Sequence, residues 1–372
     1  MIRKLPWLVC FGAAFAILTL QGWGLDTYRI DKTRKNTTLQ EADFAVIDDF
    51  VAESIKEILA AEEISDIIEL RQMLFERRNP LEQAVQARYE AQFVASIKKN
   101  LPEGLAQADK ITPRSKAKKI VANLLILLDS LAKEELGEVA LPLLDDDNAM
   151  VRYWAAHAVM NKTIISQLNA LGPASSKLFR EVVSSMTKRI GTESSPAVMG
   201  LFVDFCINVK TSETRRLLVE IGNARINEYK AWNVQDELLD GAILAGLAEV
   251  IGETQGEQKQ AAARCFGQLY ASVVQKYLMG AQFIGTDSKR QLVSTMVEIE
   301  QIVLPKLLGV QQATIKNAIE KENLAVLRAE YESLFGTADK TGRLGEALGF
   351  NYGPQGNAPA ALPEPPKPQK DK

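Results

Sequence analysis

The chain has 372 residues, 47% of them hydrophobic and 24% charged, which is enough to bury a substantial core and excludes a wholly disordered polypeptide. Its formal charge of −3 lacks the concentrated basic surplus of a general nucleic-acid binder, so no nucleic acid is expected as a partner. A single histidine excludes zinc sites built on two or three imidazoles of one chain.

The first 24 residues read as a signal peptide. Arg3 and Lys4 form a short basic start, Leu5 to Leu20 carries no charge, and Gly22-Trp23-Gly24 puts small residues before a cut at Leu25. The apolar run is shorter than the roughly 20 residues a membrane-crossing helix needs, so a retained anchor is the second reading. No stable span is expected after cleavage, and the mature chain is expected in the periplasm or secreted.

Residues 25–38 read as a polar leader without a clear period. From Leu39 the spacing is helical: Phe44, Ile47, Val51, Ile55, Ile58 and Leu59 recur at three- and four-residue steps, with Thr38 and Glu41 placed for a capping box. Helical runs continue over 64–78 and 81–99, which makes 39–100 an N-terminal group of hairpins. Pro102, Gly104 and Pro113 bracket a looser stretch, read as a linker over 101–114. Beyond it, runs are predicted at 115–131, 134–144, 149–160, 175–190, 196–209, 212–232, 235–251, 257–279, 288–308 and 311–335. No alternating pattern is long enough for a sheet, so the fold class is all-α. Tyr352 onward, ending in "PAALPEPPKPQKDK", reads as a disordered proline-rich tail, with a groove-binding proline ligand as the other possibility.

The segment Leu143–Val159, "LLDDDNAMVRYWAAHAV", resembles a HEAT repeat. Leu143-Leu144 close a first helix, Asp146 and Asn148 sit in an acidic turn, and Val151-Arg152 open a second helix centred on Ala155, Ala156 and Ala158. Fainter copies lie at 191–206, with Val198 and Met199 at the Val-Arg positions, and at 251–266, with Ala261, Ala262 and Ala263. The resemblance implies an irregular α-α superhelix over 115–351, whose concave side binds partners. It also implies that the arginine at 152 bonds acidic turn residues of an adjacent repeat.

Chemistry is sparse. His157 lacks a cysteine or suitably framed serine as partner, and reads as a structural side chain. Asp145, Asp146 and Asp147 lack the alternating ligands, central glycine and distal glutamate of a calcium loop, and read as turn caps. No phosphate-cradling glycine motif occurs. Cys206 and Cys265 lie in apolar helical runs, as two buried thiols or one disulfide. No cofactor and no metal are expected. The basic stretch with Lys116, Lys118 and Lys119, together with Arg152, Tyr153 and Trp154, supplies the candidate contacts for a protein partner. These readings point to a non-enzymatic scaffold. A helical enzyme or ligand carrier would need two converging carboxylates in a deep cleft, and a self-assembling envelope protein would associate through its repeat ends.

Overall fold

The computed structural model describes residues 25–280 and 282–366. The signal-peptide reading of residues 1–24 and the last six residues of the tail lie outside that range. The chain is all-α, as its periodicity predicts, and divides into two compact units at Asn100 and Leu101. Among the described residues no helix is long and apolar enough to cross a membrane.

The first unit contains α1 (Thr27–Thr33), α2 (Glu41–Ala60), α3 (Ile64–Glu76) and most of α4 (Gln86–Ala108). The leader expected at 25–38 is corrected: half of it, Thr27–Thr33, is helix α1. Asp26 caps α1 by accepting from the Tyr28 N–H, and Leu25, Ile30 and Leu39 are buried. Arg77 fixes the segment with a two-pronged contact to Asp31, at 3.1 and 3.0 Å. Such long-range anchoring leaves no periodic trace in fourteen residues. The predicted Thr38 cap is also displaced, because α2 is capped by Gln40 and Asp43. On α2, Ile47, Val51, Ile55 and Ile58 form the buried stripe that the sequence spacing announces.

The expected linker at 101–114 is mostly helix. Helix α4 runs through Pro102 to Ala108, because Leu101, Leu105 and Ala108 continue a buried stripe whose packing outweighs the hydrogen bond that proline removes. The second unit continues with α5 (Arg114–Leu131), α6 (Gly137–Ala140), α7 (Ala149–Met160), α8 (Lys162–Leu171), α9 (Lys177–Arg189), α10 (Pro196–Asn208), α11 (Ser212–Lys230) and α12 (Leu238–Glu253). It ends with α13 (Gly256–Gly280), α14 (Thr286–Glu298), α15 (Leu304–Leu308), α16 (Thr314–Glu320), α17 (Leu324–Phe335) and α18 (Arg343–Leu348). Helix α7 packs on α5 and α10, α11 packs on α10, α12 and α13, and α13 packs on α14, α17 and α18.

Local chemistry accounts for several departures from the sequence reading. The 134–144 run is a short α-turn between two 3-10 turns, with Pro142 starting the second. The 288–308 run is helical throughout, but residues 299–303 form a π turn within it just before Pro305, which has no N–H to give the α-ladder. Inside that turn the fully buried Glu300 accepts the Ile315 and Lys316 N–H groups at 2.6 and 2.8 Å, holding the start of α16. Two-residue strands β1 (Gly336–Thr337) and β2 (Lys340–Thr341) form a small antiparallel hairpin. Gly336 has φ +98° and packs on the Asn357 main chain, so a side chain there would collide with backbone.

Both described cysteines are free and buried. Burial pushes the Cys265 thiol up to about 12, and the Cys206 thiol is raised by burial and by Glu220. Neither forms the nucleophilic thiolate at neutral pH. A chain from Leu25 onward, which lacks Cys10, should therefore resist a thiol-alkylating reagent at pH 8 and react at both positions in denaturant. Modification of the folded chain would contradict this burial.

Candidate functional site

The predicted contact residues do not form one surface. Helix α7 begins as its sequence suggests: Asn148 caps it by accepting from the Met150 and Val151 N–H groups, and Val151, Ala155, Ala156 and Val159 are fully buried. One turn in, Arg152 is buried as well. Its Nε and Nη2 donate to the Glu193 carboxylate at 2.8 and 2.6 Å, and its Nη1 donates to the Asp146 and Asp147 carbonyls. Lys118 is also buried, 2.8 Å from Asp146 and 3.3 Å from Asp109. Arg152 and Lys118 are therefore corrected from partner contacts to internal links. Lys116 is half-buried and Lys119 exposed. Tyr153 and Trp154 are half-buried and pack edge-on and tilted against each other and His157, whose Nε2 lies 3.0 Å from the Tyr153 hydroxyl.

The two links share a plan. Asp146 accepts the N–H of Asn148, two residues on, and receives Lys118 from α5. Glu193 accepts the N–H of Ser195, also two residues on and the cap of α10, and receives Arg152 from α7. Each turn is thereby tied to the helix of the preceding hairpin by a buried cation. Burial opposes the Glu193 charge, but Arg152, the Ser195 N–H and Arg189 outweigh it and hold the carboxyl below its usual 4.5. A lowered folded-state value means that Glu193 contributes stability above that usual value, and that the contribution is lost as pH falls through the lowered one. Replacing Glu193 with Gln should therefore flatten the acid limb of the stability curve as pH falls below about 4.5, read from urea midpoints. An unchanged acid limb would remove Glu193 from the account.

Glu193 and Glu228 line a cavity of about 190 Å³ with Met199, Arg225, Asn233 and Gln235. Two acids converge here, as an enzymatic reading requires, but both are held by guanidinium groups. Arg225 donates to Glu228 at 2.6 Å, to both Asp240 oxygens, and to the Gln235 and Asp236 carbonyls. Tyr229 completes the cluster with a 2.6 Å bond to Asp240. This is a buried charge-paired cluster that ties α11 to α12 and to the turn between them. Among the described residues no three His, Cys, Asp or Glu side chains are grouped to hold a metal ion.

The arrangement with recognition chemistry lies along α13. Residues 269–277 of this helix are buried without interruption, and one face carries Gln260 and Arg264, both exposed, then the half-buried Gln268 and the buried Gln275. Gln260 donates to the Gly349 carbonyl and Arg264 to the Asn351 carbonyl, both at 3.0 Å. Gln268 takes both main-chain groups of Ala360, accepting its N–H at 2.7 Å and donating to its carbonyl at 3.1 Å. Gln275 accepts the Leu362 N–H at 2.6 Å and donates to Ala360 O and the Tyr331 hydroxyl. Beyond it, the Trp232 indole N–H donates to the Pro363 carbonyl at 3.0 Å.

Side chains fill the remaining space. Phe350, Tyr352 and Leu362 are each about 95% buried, with exposures of 5, 4 and 4%. The first two lie over Gly267, where an added Cβ would stand 2.8 Å from the Phe350 ring and 3.0 Å from the Tyr352 hydroxyl. Asn357 is pinned to the β1–β2 hairpin through Thr341 and the Ala338 carbonyl. The expectation of disorder from Tyr352 is thus corrected for residues 352–366, of which Tyr352 to Pro363 are seated in the groove. Sequence reasoning missed Gln260, Gln268, Gln275 and Trp232. The three glutamines fall on one face of α13, a pattern that a solvated helix face also gives, and Trp232, between α11 and α12, carries no signal.

No family model matches the chain, and no curated protein is significantly similar to it.

Proposed function

We propose that this chain is an exported, non-enzymatic helical scaffold that mediates protein–protein interaction by holding an extended polypeptide segment against α13. The observation that carries the reading is the main-chain recognition at Ala360 and Leu362, in which Gln268 and Gln275 substitute for the neighbouring strand of a sheet. Side-chain amides spaced along a rigid helix suit this task, because they donate and accept at once and are neutral. The buried Lys118–Asp146 and Arg152–Glu193 links support a HEAT-like stack that keeps such a groove in shape. Export rests on the basic–apolar–small pattern of residues 1–24.

The test is a cross-linked capture from the source organism with the full-length gene product. One dominant protein is expected, with cross-links mapping to α13 and its neighbours. Capture should fall with Gln268→Ala and Gln275→Ala together. Capture of nothing above background, or capture indifferent to both glutamines, would overturn the reading. Sequencing the N-terminus of the same material tests export, with Leu25 as the expected first residue.

A further inference from the structure

The seated segment describes the ligand chemistry that its groove accepts. Every polar contact on Ala360, Leu362 and Pro363 goes to a main-chain atom. Ala360 and Leu362 must present N–H groups, so proline is excluded at those two places. Pro359 and Pro363 flank them, where no N–H is called for, and the two prolines restrict the free chain to an extended form. Pro359 and Leu362 supply the buried apolar anchors, whereas Pro363 is exposed. The resulting pattern is Pro-x-x-Leu-Pro, read by two amides, an indole N–H and the apolar surface that covers Pro359 and Leu362.

We propose that the α13 groove is a binding site for an extended Pro-x-x-Leu-Pro segment of a partner protein, and that residues 357–363 of this chain are its resident competitor. The proposal rests on the scaffold function above and names the segment that the scaffold binds. A tethered competitor acts at an effective concentration on the order of 1 mM, so a segment of about 100 μM intrinsic affinity keeps the groove roughly 90% occupied. A partner segment of the same chemistry then binds about tenfold more weakly to the intact chain than to one whose own segment is released.

The probe is a fluorescent ten-residue peptide with the sequence of residues 357–366, titrated by anisotropy into the full chain. Leu362→Glu places a charge in the recess and releases the resident segment, and Leu362→Ala is a milder second variant should the first fail to fold. Binding to the released chain is expected to be about tenfold tighter than to the unaltered chain. It should fall at least about tenfold when Gln268→Ala and Gln275→Ala are added, and when the peptide carries proline at the position of Ala360. No binding to either released chain, or binding indifferent to both glutamines and to that proline, overturns the proposal. Concentration-dependent dimers of the unaltered chain, abolished by Leu362→Glu, would give the groove to a second copy and overturn it as well. A peptide that binds while cellular capture finds nothing keeps the ligand chemistry and removes the scaffold's partner. The converse removes only the ligand chemistry.

Discussion

Replacing Arg152 with alanine is expected to lower the unfolding free energy by about 3 kcal/mol, the low end of the cost of breaking a buried pair, because Arg189 and the Ser195 N–H stay on the Glu193 carboxylate. Glu193 has no exposed side-chain surface, and Arg152 is its bidentate partner. The same change removes the donor to the Asp146 and Asp147 carbonyls, so the turn before α7 loses its tie together with the turn before α10. Urea unfolding at pH 7 measures the loss. The double replacement of Arg152 by Met and Glu193 by Leu should recover most of it, since removing both charges also removes their desolvation cost. A loss below about 1 kcal/mol for Arg152→Ala would mean that the link behaves as a solvated surface pair.

Introducing leucine at Gly267 should detach the segment from Phe350 to Pro363. The new side chain would occupy the space over α13 now held by the Phe350 and Tyr352 rings. Those rings and Leu362 each withdraw from water an apolar side chain worth about 1.5–3 kcal/mol, so the segment cannot stay seated once its first anchor is displaced. Proteolysis within residues 353–366, followed by mass spectrometry, is expected to accelerate at least about tenfold as the local opening free energy collapses. The helical signal of the remaining chain should stay intact. Gly252→Ala serves as the control, because an added Cβ there meets nothing within 4 Å. Equal cleavage rates in the unaltered chain and Gly267→Leu would show that the segment is not held through its aromatic anchor.

How much of this could be read from the sequence depends on which force shapes each element. Helix α7 was legible to its ends because Asn148 caps it and its apolar positions repeat with the helical period. Helix α4 was cut short in the sequence reading because Pro102 and Gly104 are local punctuation, whereas its continuation is decided by the packing of Leu105 and Ala108. Helix α1 was missed because its anchor, Arg77, lies 46 residues away from Asp31. The charged pattern around Arg152 was legible as chemistry: the resemblance implied a bond to the acidic turn of a neighbouring pair, which Glu193 supplies, and only the reading of Arg152 as a partner contact gave way to its burial. The groove was the least legible feature. Main-chain recognition imposes no hydrophobic period on the segment recognised, and glutamines facing it are indistinguishable in sequence from a solvated helix face. Only Leu362 between two prolines carried any trace.

The bond between Trp232 and Pro363 also gives the molecule an optical reporter. The chain contains four tryptophans, and of the two beyond residue 24 one, Trp154, packs edge-on against Tyr153 and at a tilt against His157 in α7. The other rests its ring on Gly280 while its N–H is engaged at the far end of the groove. In a Leu25–Lys372 chain carrying Trp154→Phe, emission would come from the indole of Trp232 alone. Departure of the segment hands that N–H to water, so the emission maximum moves to longer wavelength in step with vacancy. Occupancy then becomes a colour, readable in real time during a stopped-flow experiment without any attached dye.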